Sequence, residues 1–399
     1  MKILVFAHRL ELGGTQTNAV ELGAALRDRY GHEVMLFATP GPAVKLVEEK
    51  GLPLVPAPDA ALHPSPARMR ALRRTVRSER PDLLHVWDWW QCLEAFYAVH
   101  LPLRVPMVVT DMMMELTRVL PRTPLTTFGT PEIVARARAE GRRRSELLAP
   151  AVDIGRNAPG AVDPRDFRER HGIGPGDITL VTVSRLSEWL KSESLVRTVD
   201  AVRELGRELP LRFVVVGDGM VRPRLEERAR EANASLGRPA IVLAGAMVDP
   251  RPAYAAADIV VGMGSSSMRA MAFGKPVVVV GEQGFSAPLT PETAETFYHT
   301  GMYGRGDGAP DNARLVANIR ALAEHPDRLA ALGEFSRQFV TRHFSLEAVS
   351  ALLAGYCARA VADVPRRRAA VADGLRTAAV YLRERRFWVP SRDPLPGRG

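Results

Sequence analysis

A chain of 399 residues, 46% hydrophobic and 25% charged, can bury a core in each of two domains, and this balance excludes a disordered or fibrous polymer. The net charge of +9 comes with scattered basic residues and no nucleic-acid motif, so an arginine-rich folded surface accounts for it better than a nucleic-acid partner. Two cysteines far apart in sequence, Cys92 and Cys357, give neither a disulfide framework nor a metal-type spacing, and fit a reducing cytoplasm.

The first element is the strand KILVFA from Lys2, a continuous apolar run expected to be buried on both faces. It is too short for a signal peptide, and no later run reaches the roughly 18 residues of a membrane span, so a cytoplasmic location is expected. A helix follows over about 15–29, with Ala19, Leu22 and Leu26 on one face. Strand 32–39, helix 43–51, strand 53–58, helix 66–79, strand 82–87, helix 90–98 and strand 106–110 continue the alternation. Residues 153–177, rich in Gly, Pro and Asp without a sustained period, read as a linker. The alternation then restarts, with strands at 178–184, 211–217, 240–245, 258–263 and 276–280 and helices at 192–207, 221–233, 250–256 and 265–273. Past Asp327 the chain is mostly helical to Arg385, and 389–399 reads as a loose tail. Such a pattern predicts an α/β protein with two doubly wound parallel sheets. The expected domains are 1–165 and 166–345, with helices of 346–399 packing back on the first.

Ligands of open parallel sheets bind beyond the carboxyl ends of the strands, so the strand-to-helix turns are the candidate sites. In LGGTQT, Gly13 and Gly14 open a helix start that favours an anion, or simply form a tight turn. In VSRLSEWLK, Arg185 and Lys191 flank another helix start and can clamp a diphosphate, or stand as solvated cations. Lysine is otherwise limited to Lys2, Lys45, Lys50 and Lys275, which favours a purpose for Lys191. Abundant Ala, Arg, Gly and Pro point to a GC-rich, actinobacterial source. In VVVGDGM, Gly217, Asp218 and Gly219 make a sharp turn, for which a structural role is favoured. In GMGSSSMRAMAFGKP, Gly262 and Gly264 permit close approach and Ser265, Ser266 and Ser267 begin a helix that Gly274 and Pro276 stop. It is not a Walker A loop, because its Gly-Lys precedes a strand and is followed by Pro.

These stretches, together with AYAAADIVVGMGSSSMRAMAFGKPVVV and the late GMYGRGDG, resemble family-4 glycosyltransferases in order and spacing over nearly the whole chain. The resemblance implies GT-B architecture, two Rossmann-like domains facing across a cleft. It also implies sugar transfer from a nucleotide-sugar donor, UDP- or GDP-linked, with retention and without an essential metal or other cofactor. It places Gly14 against the donor diphosphate and Arg185 and Lys191 on the departing phosphates, although Lys191 is one residue further from the arginine than is commonest. Ala246 and Met247 fall where the family reads the base.

Elsewhere the chain departs from the family. Its paired glutamates are replaced by Val261 and Arg269, and arginine cannot accept a hydrogen bond from a ribose hydroxyl. Arg269 therefore meets an anion or merely covers the helix surface, and Glu282 is a candidate for the lost sugar contact. The first-domain histidine is also missing, which leaves Asp111 and Asp88 as candidates to take a proton from the acceptor, or as ordinary helix caps. Trp87, Trp89, Trp90 and Met112 to Met114 line an acceptor pocket or pack a core. The arginine-rich helix at 68–80 is an amphipathic surface helix or a weak contact to anionic lipid. A small-molecule acceptor is expected, with a cell-envelope glycan or glycolipid as the alternative. A nucleotide-sugar epimerase and a non-catalytic nucleotide-sugar-binding relative are the other classes.

Overall fold

The computed structural model describes residues 1–387 other than 8, 12, 61 and 309–311, so the expected tail at 389–399 lies outside the described residues. Two compact units divide the chain: Met1–Ala151 together with the chain from Leu346 onward, and Val152–Ser345.

In the first unit seven strands form one sheet: β1 (Lys2–Phe6), β2 (Glu33–Ala38), β3 (Leu54–Pro56), β4 (Leu83–Trp87), β5 (Met107–Asp111), β6 (Leu125–Phe128) and β7 (Ser145–Leu147). The order is β3-β2-β1-β4-β5-β6-β7, with every neighbouring pair parallel. The order reverses between β1 and β4, which is where such sheets open a crevice for ligands. The apolar run of β1 divides by strand alternation. Ile3 and Val5 enter a core with Val20, Leu22 and Leu26, while Leu4 and Phe6 enter another with Leu72, Val76 and Phe96. Val349, Leu353 and Cys357 from the helix Leu346–Ala362 complete the first of these cores.

The second unit holds β8 (Ile178–Val183), β9 (Leu211–Val216), β10 (Ile241–Gly245), β11 (Ile259–Gly262), β12 (Val277–Val280) and β13 (Ser286–Pro288), in the order β10-β9-β8-β11-β12-β13. The expected all-parallel sheet is corrected at one edge, where β13 runs antiparallel to β12. Only five residues, Gly281 to Phe285, separate the two strands, too few for the crossover that parallel pairing requires. The segment expected to be linker also contains a short helix, Arg165–Arg170. Strands β6 and β7 and the helix Pro131–Ala139 between them were not anticipated from the sequence.

The helix Pro66–Glu79 lays Ala71, Leu72 and Val76 into the core. Arg68, on this helix, is not a surface charge: its guanidinium bonds both oxygens of Glu94 at 2.8 Å, and the Glu94 side chain is fully buried. Glu94 also accepts from the Ser65 amide at 2.7 Å. Removing one member of such a pair strands the other charge in a poor solvent. Arg68→Met should therefore destabilise the first unit by about 3–5 kcal/mol, read as a lowered midpoint in chemical denaturation.

Candidate functional site

Strand β8 ends at Val183, and the chain passes through Ser184 to Ser187 into the helix Glu188–Leu205. This loop is clasped by the turn after β9. The Leu186 amide donates to Asp218 O at 2.9 Å, and the Val221 amide donates to Leu186 O at 3.1 Å. The clasp requires glycine. Gly217 and Gly219 have φ of 146° and 149°, and added Cβ atoms would stand 1.8 Å from Ser184 O and 2.4 Å from Leu186 O. Gly217 thus supports the loop that carries Arg185.

Lys191 lies close enough to Arg185 to feel its charge, and Arg185 itself is exposed. Lys191 lines a narrow pocket with Thr182, Val183, Ser184, Ser194, Gly262 and Met263. Burial, and then the nearby Arg185 guanidinium, lower the Lys191 ammonium from its ordinary 10.5 to about 8. Neither cation has a side-chain partner among the described residues, whereas Arg222 pairs with Glu226 and Arg224 with Glu188. Leu190, between them, has a φ of 65°, left-handed within the first turn of the helix. A non-glycine residue pays about 1–2 kcal/mol for that conformation.

The helix Ser265–Ala272 begins on the other side of the pocket, behind Gly264 at φ 61°. Its serines differ in task. Ser266 Oγ donates to Val183 O at 2.6 Å and bonds the Tyr254 hydroxyl at 3.0 Å, so it rivets the helix start to β8. Ser267 is fully buried, and its Oγ has no partner. Ser265 and Gly264 are half-buried. No side chain caps this helix, so its first amides and its dipole remain available to an anion.

In the first unit, Gly13 is the extended N-cap of the helix Gly14–Tyr30, which has neither a side-chain cap nor an acid in its first turn. Trp87 pairs with Thr110 across β4 and β5, so Asp88 and Asp111 follow side by side at the strand ends. Asp88 is left-handed at φ 58°, and its Oδ1 accepts from the Met112 amide at 3.2 Å. Asp111 is fully buried, one of its oxygens has no partner, and burial followed by the Asp88 charge raises its carboxyl to about 7. A pair of this kind is suited to proton transfer near neutral pH. Trp87 is core, Trp90 stacks on His63 at 4.1 Å with Trp89 against its edge, and Met113 and Met114 are exposed.

Residues 12–115 match the model of Glycosyltransferase Family 4, and residues 177–325 match that of Glycosyl transferases group 1. The chain is a family-4-like glycosyltransferase of GT-B architecture. A glycosyltransferase from Rickettsia africae is similar at 16% identity and TM-score 0.69, over 89% of this chain and 97% of that one. HepE from Anabaena, solved in complex with UDP-glucose, is similar at 17% identity and TM-score 0.67, over 89% and 98%. WaaG, a glycosyltransferase involved in lipopolysaccharide biosynthesis, is similar at 14% identity and TM-score 0.62, over 90% and 99%. No curated protein matches the sequence significantly. Glycosyltransferases of this type take a nucleotide sugar as co-substrate.

Val261 and Arg269, which the sequence resemblance sets against the family's paired glutamates, differ in their surroundings. Val261 is buried in β11, and its carbonyl accepts from the Thr182 hydroxyl at 2.6 Å. Arg269 is half-buried, has no side-chain partner among the described residues, and acts electrostatically on the buried Tyr254 phenol. The Glu282 carboxylate accepts from the Tyr303 hydroxyl and pairs with Arg305 at 3.3 Å, so it is held by its own loop. Ala246 is exposed and Met247 half-buried after Gly245, whose carbonyl accepts from the Gly217 amide at 2.9 Å. Sequence reasoning missed Glu193, which accepts from the Gln283 and Gly284 amides at 2.9 and 2.7 Å and fixes the loop after β12. Its only sequence signal is the i,i+4 pairing with Arg197. Among the described residues there is no group of three His, Cys, Asp or Glu that could hold a metal ion.

The Lys191 shift gives a pH signature. The unfolded chain holds more protons than the ligand-free fold between pH 8 and 10.5, so the stability cost at Lys191 is present below about pH 8 and is relieved as pH rises through that window. An anion bound beside Lys191 would have the opposite sense, because the ammonium favours it. Calorimetric affinity for UDP should fall above pH 8, by up to about tenfold per unit, and Lys191→Arg should flatten that slope.

Proposed function

We propose that the second unit binds the diphosphate of a nucleotide-sugar donor and promotes its departure with retention at the sugar and without a metal. The observation that carries this is Lys191 lining a pocket within reach of the Arg185 charge, the two cations having no acidic partner among the described residues. Arg185 offers a planar fork and Lys191 a point charge, and the uncapped amides at Ser265 to Ser267 add the helix dipole. Charge that develops on the leaving diphosphate is stabilised in place, with no reorganisation at the moment of reaction. A uridine base is favoured by the UDP-glucose complex of HepE, with guanosine as the competitor. In the first unit, Asp111 and Asp88 take the acceptor proton, Asp111 as the group already poised near pH 7.

A small-molecule acceptor, as in natural-product assembly, fits the altered glutamate positions. A glycolipid or envelope glycan is the second reading, favoured by the exposed apolar stripe on the helix Arg367–Phe387.

Arg185→Ala and Lys191→Ala should each lower turnover by about 2–4 kcal/mol of transition-state stabilisation and leave circular dichroism unchanged. Near-normal turnover in both removes the donor clamp from consideration. Turnover should also persist in EDTA, and a loss restored by Mg²⁺ or Mn²⁺ would overturn the metal-independent mechanism.

Asp111→Asn keeps the shape and loses the base. It should reduce kcat about 10²–10⁴-fold and abolish the rise of activity with pH through about 7 that the native carboxylate imposes. A pH–rate profile of the two proteins checks this.

A further inference from the structure

The segment between β5 and β6 is held by one buried arginine. Arg142 follows the helix Pro131–Ala139 and is 3% exposed. Its Nη2 donates to Thr117 O at 3.2 Å and Arg118 O at 2.8 Å, and its Nη1 to Leu120 O at 3.0 Å and Pro121 O at 3.4 Å. Both ends of the fork are thus spent on carbonyls of that one segment, while Nε has no partner. Burial, and then Arg376 and Arg122, lower the guanidinium from 12.5 to about 10, so it remains a cation at neutral pH.

The last helix, Arg367–Phe387, fastens the same segment. Arg376 donates to Leu120 O at 2.9 Å and to the Asp373 carboxylate at 3.0 Å. Asp373 accepts from the Arg122 and Thr123 amides at 2.6 and 2.7 Å and from the Thr123 hydroxyl at 2.8 Å. Three side chains remote in sequence supply the partners that a helix or strand would have given this backbone.

A neutral side chain could anchor a loop, but this segment begins at Asp111. Burial and then the Asp88 charge raise the Asp111 carboxyl, whereas the Thr117 hydroxyl, the Met113 amide and the Arg142 charge favour the carboxylate. Thr117 is also the residue whose carbonyl Arg142 holds. The charged and titratable groups gathered here are Asp88 and the buried Cys92 thiol from the helix Asp88–Ala95, Arg142, and Asp373 and Arg376 from the last helix. Arg142 is the cation of that set that acts on Asp111.

We propose that Arg142 is a positioning residue for Asp111. It holds the segment that brings Thr117 to the acceptor-side carboxylate, and Asp373 and Arg376 lock that segment to the last helix. This role rests on the reading of Asp111 as the group that takes the acceptor proton.

The test is the titration of the Asp111 carboxyl in the full chain, followed by carbon-13 NMR of aspartate-labelled protein, with Asp111→Asn to identify the resonance. It needs no substrate, so its outcome is separate from the turnover of Asp111→Asn, which tests whether this carboxylate is the base at all. Arg142→Met should raise the Asp111 midpoint by about half a unit to one unit. Arg142→Lys restores the charge without the fork and should recover part of that shift. Thr117→Val removes one hydroxyl and leaves the arginine in place; it should raise the midpoint as well, and it decides the matter if Arg142→Met does not fold. Calorimetric affinity for UDP should stay native in all three. The proposal is overturned by an Asp111 midpoint that does not move in Arg142→Met or in Thr117→Val, or by a shift that appears only in proteins that have lost their native circular dichroism.

Discussion

Two neighbouring like charges, Lys191 in a pocket and Arg185 beside it, without a counterion among the described residues, set the terms for the second unit. Burial, and then Arg185, lower the Lys191 ammonium to about 8, and the surrounding backbone is held in place. The stiffness is visible in the backbone. The turn at Gly217 and Gly219 presses on Ser184 and Leu186, Ser266 is bonded to the last carbonyl of β8, and Leu190 adopts a left-handed conformation in the helix start. Each is a local constraint with no gain of its own, and together they keep the cations where an anion relieves the repulsion. Ligand occupancy and the stability of this region are therefore linked.

Val261, Met263 and Val280 line the pocket beside Lys191. With Val261 in the strand, the carbonyl there is satisfied by Thr182 and the wall becomes apolar. Polar capacity remains in hydroxyls and amides, Ser265, Ser267 and the helix start, which can both donate and accept or serve an anion directly. Glu282 does not restore a carboxylate to this wall, because Tyr303 and Arg305 already hold it. On the proposed reading, recognition here relies on positive charge and neutral donors.

Much of this was legible in the residues and some was not. Helical spacing marked 66–79 with the bounds the structure has, and runs of β-branched residues marked β8, β9, β11 and β12. The strand-to-helix turns followed from that alternation, and with them the positions of Arg185, Lys191 and the serine-rich helix start. Three-residue strands such as β7 and β13 carry no period, so neither they nor the antiparallel edge could be read. Burial of a charge depends on partners distant in sequence, which is why Arg68 looked like surface and Glu193 went unnoticed. Asp88 and Asp111 were separately visible, yet their coupling is set by strand register across β4 and β5.

The second unit is an insertion in the first. The amide of Val152 donates to Phe344 O at 2.8 Å, and Val152 bridges Ser345, so entry and exit lie next to each other. For a chain made from its N-terminus, this fixes an order of assembly. Residues 152–345 can complete their sheet as soon as they emerge, while the face of β1 bearing Ile3 and Val5 must wait for Val349, Leu353 and Cys357. Until then that face of the nascent sheet is covered only in part, by Val20, Leu22 and Leu26 of the first helix, and the later helix Leu346–Ala362 acts as the cover that ends its vulnerability to aggregation.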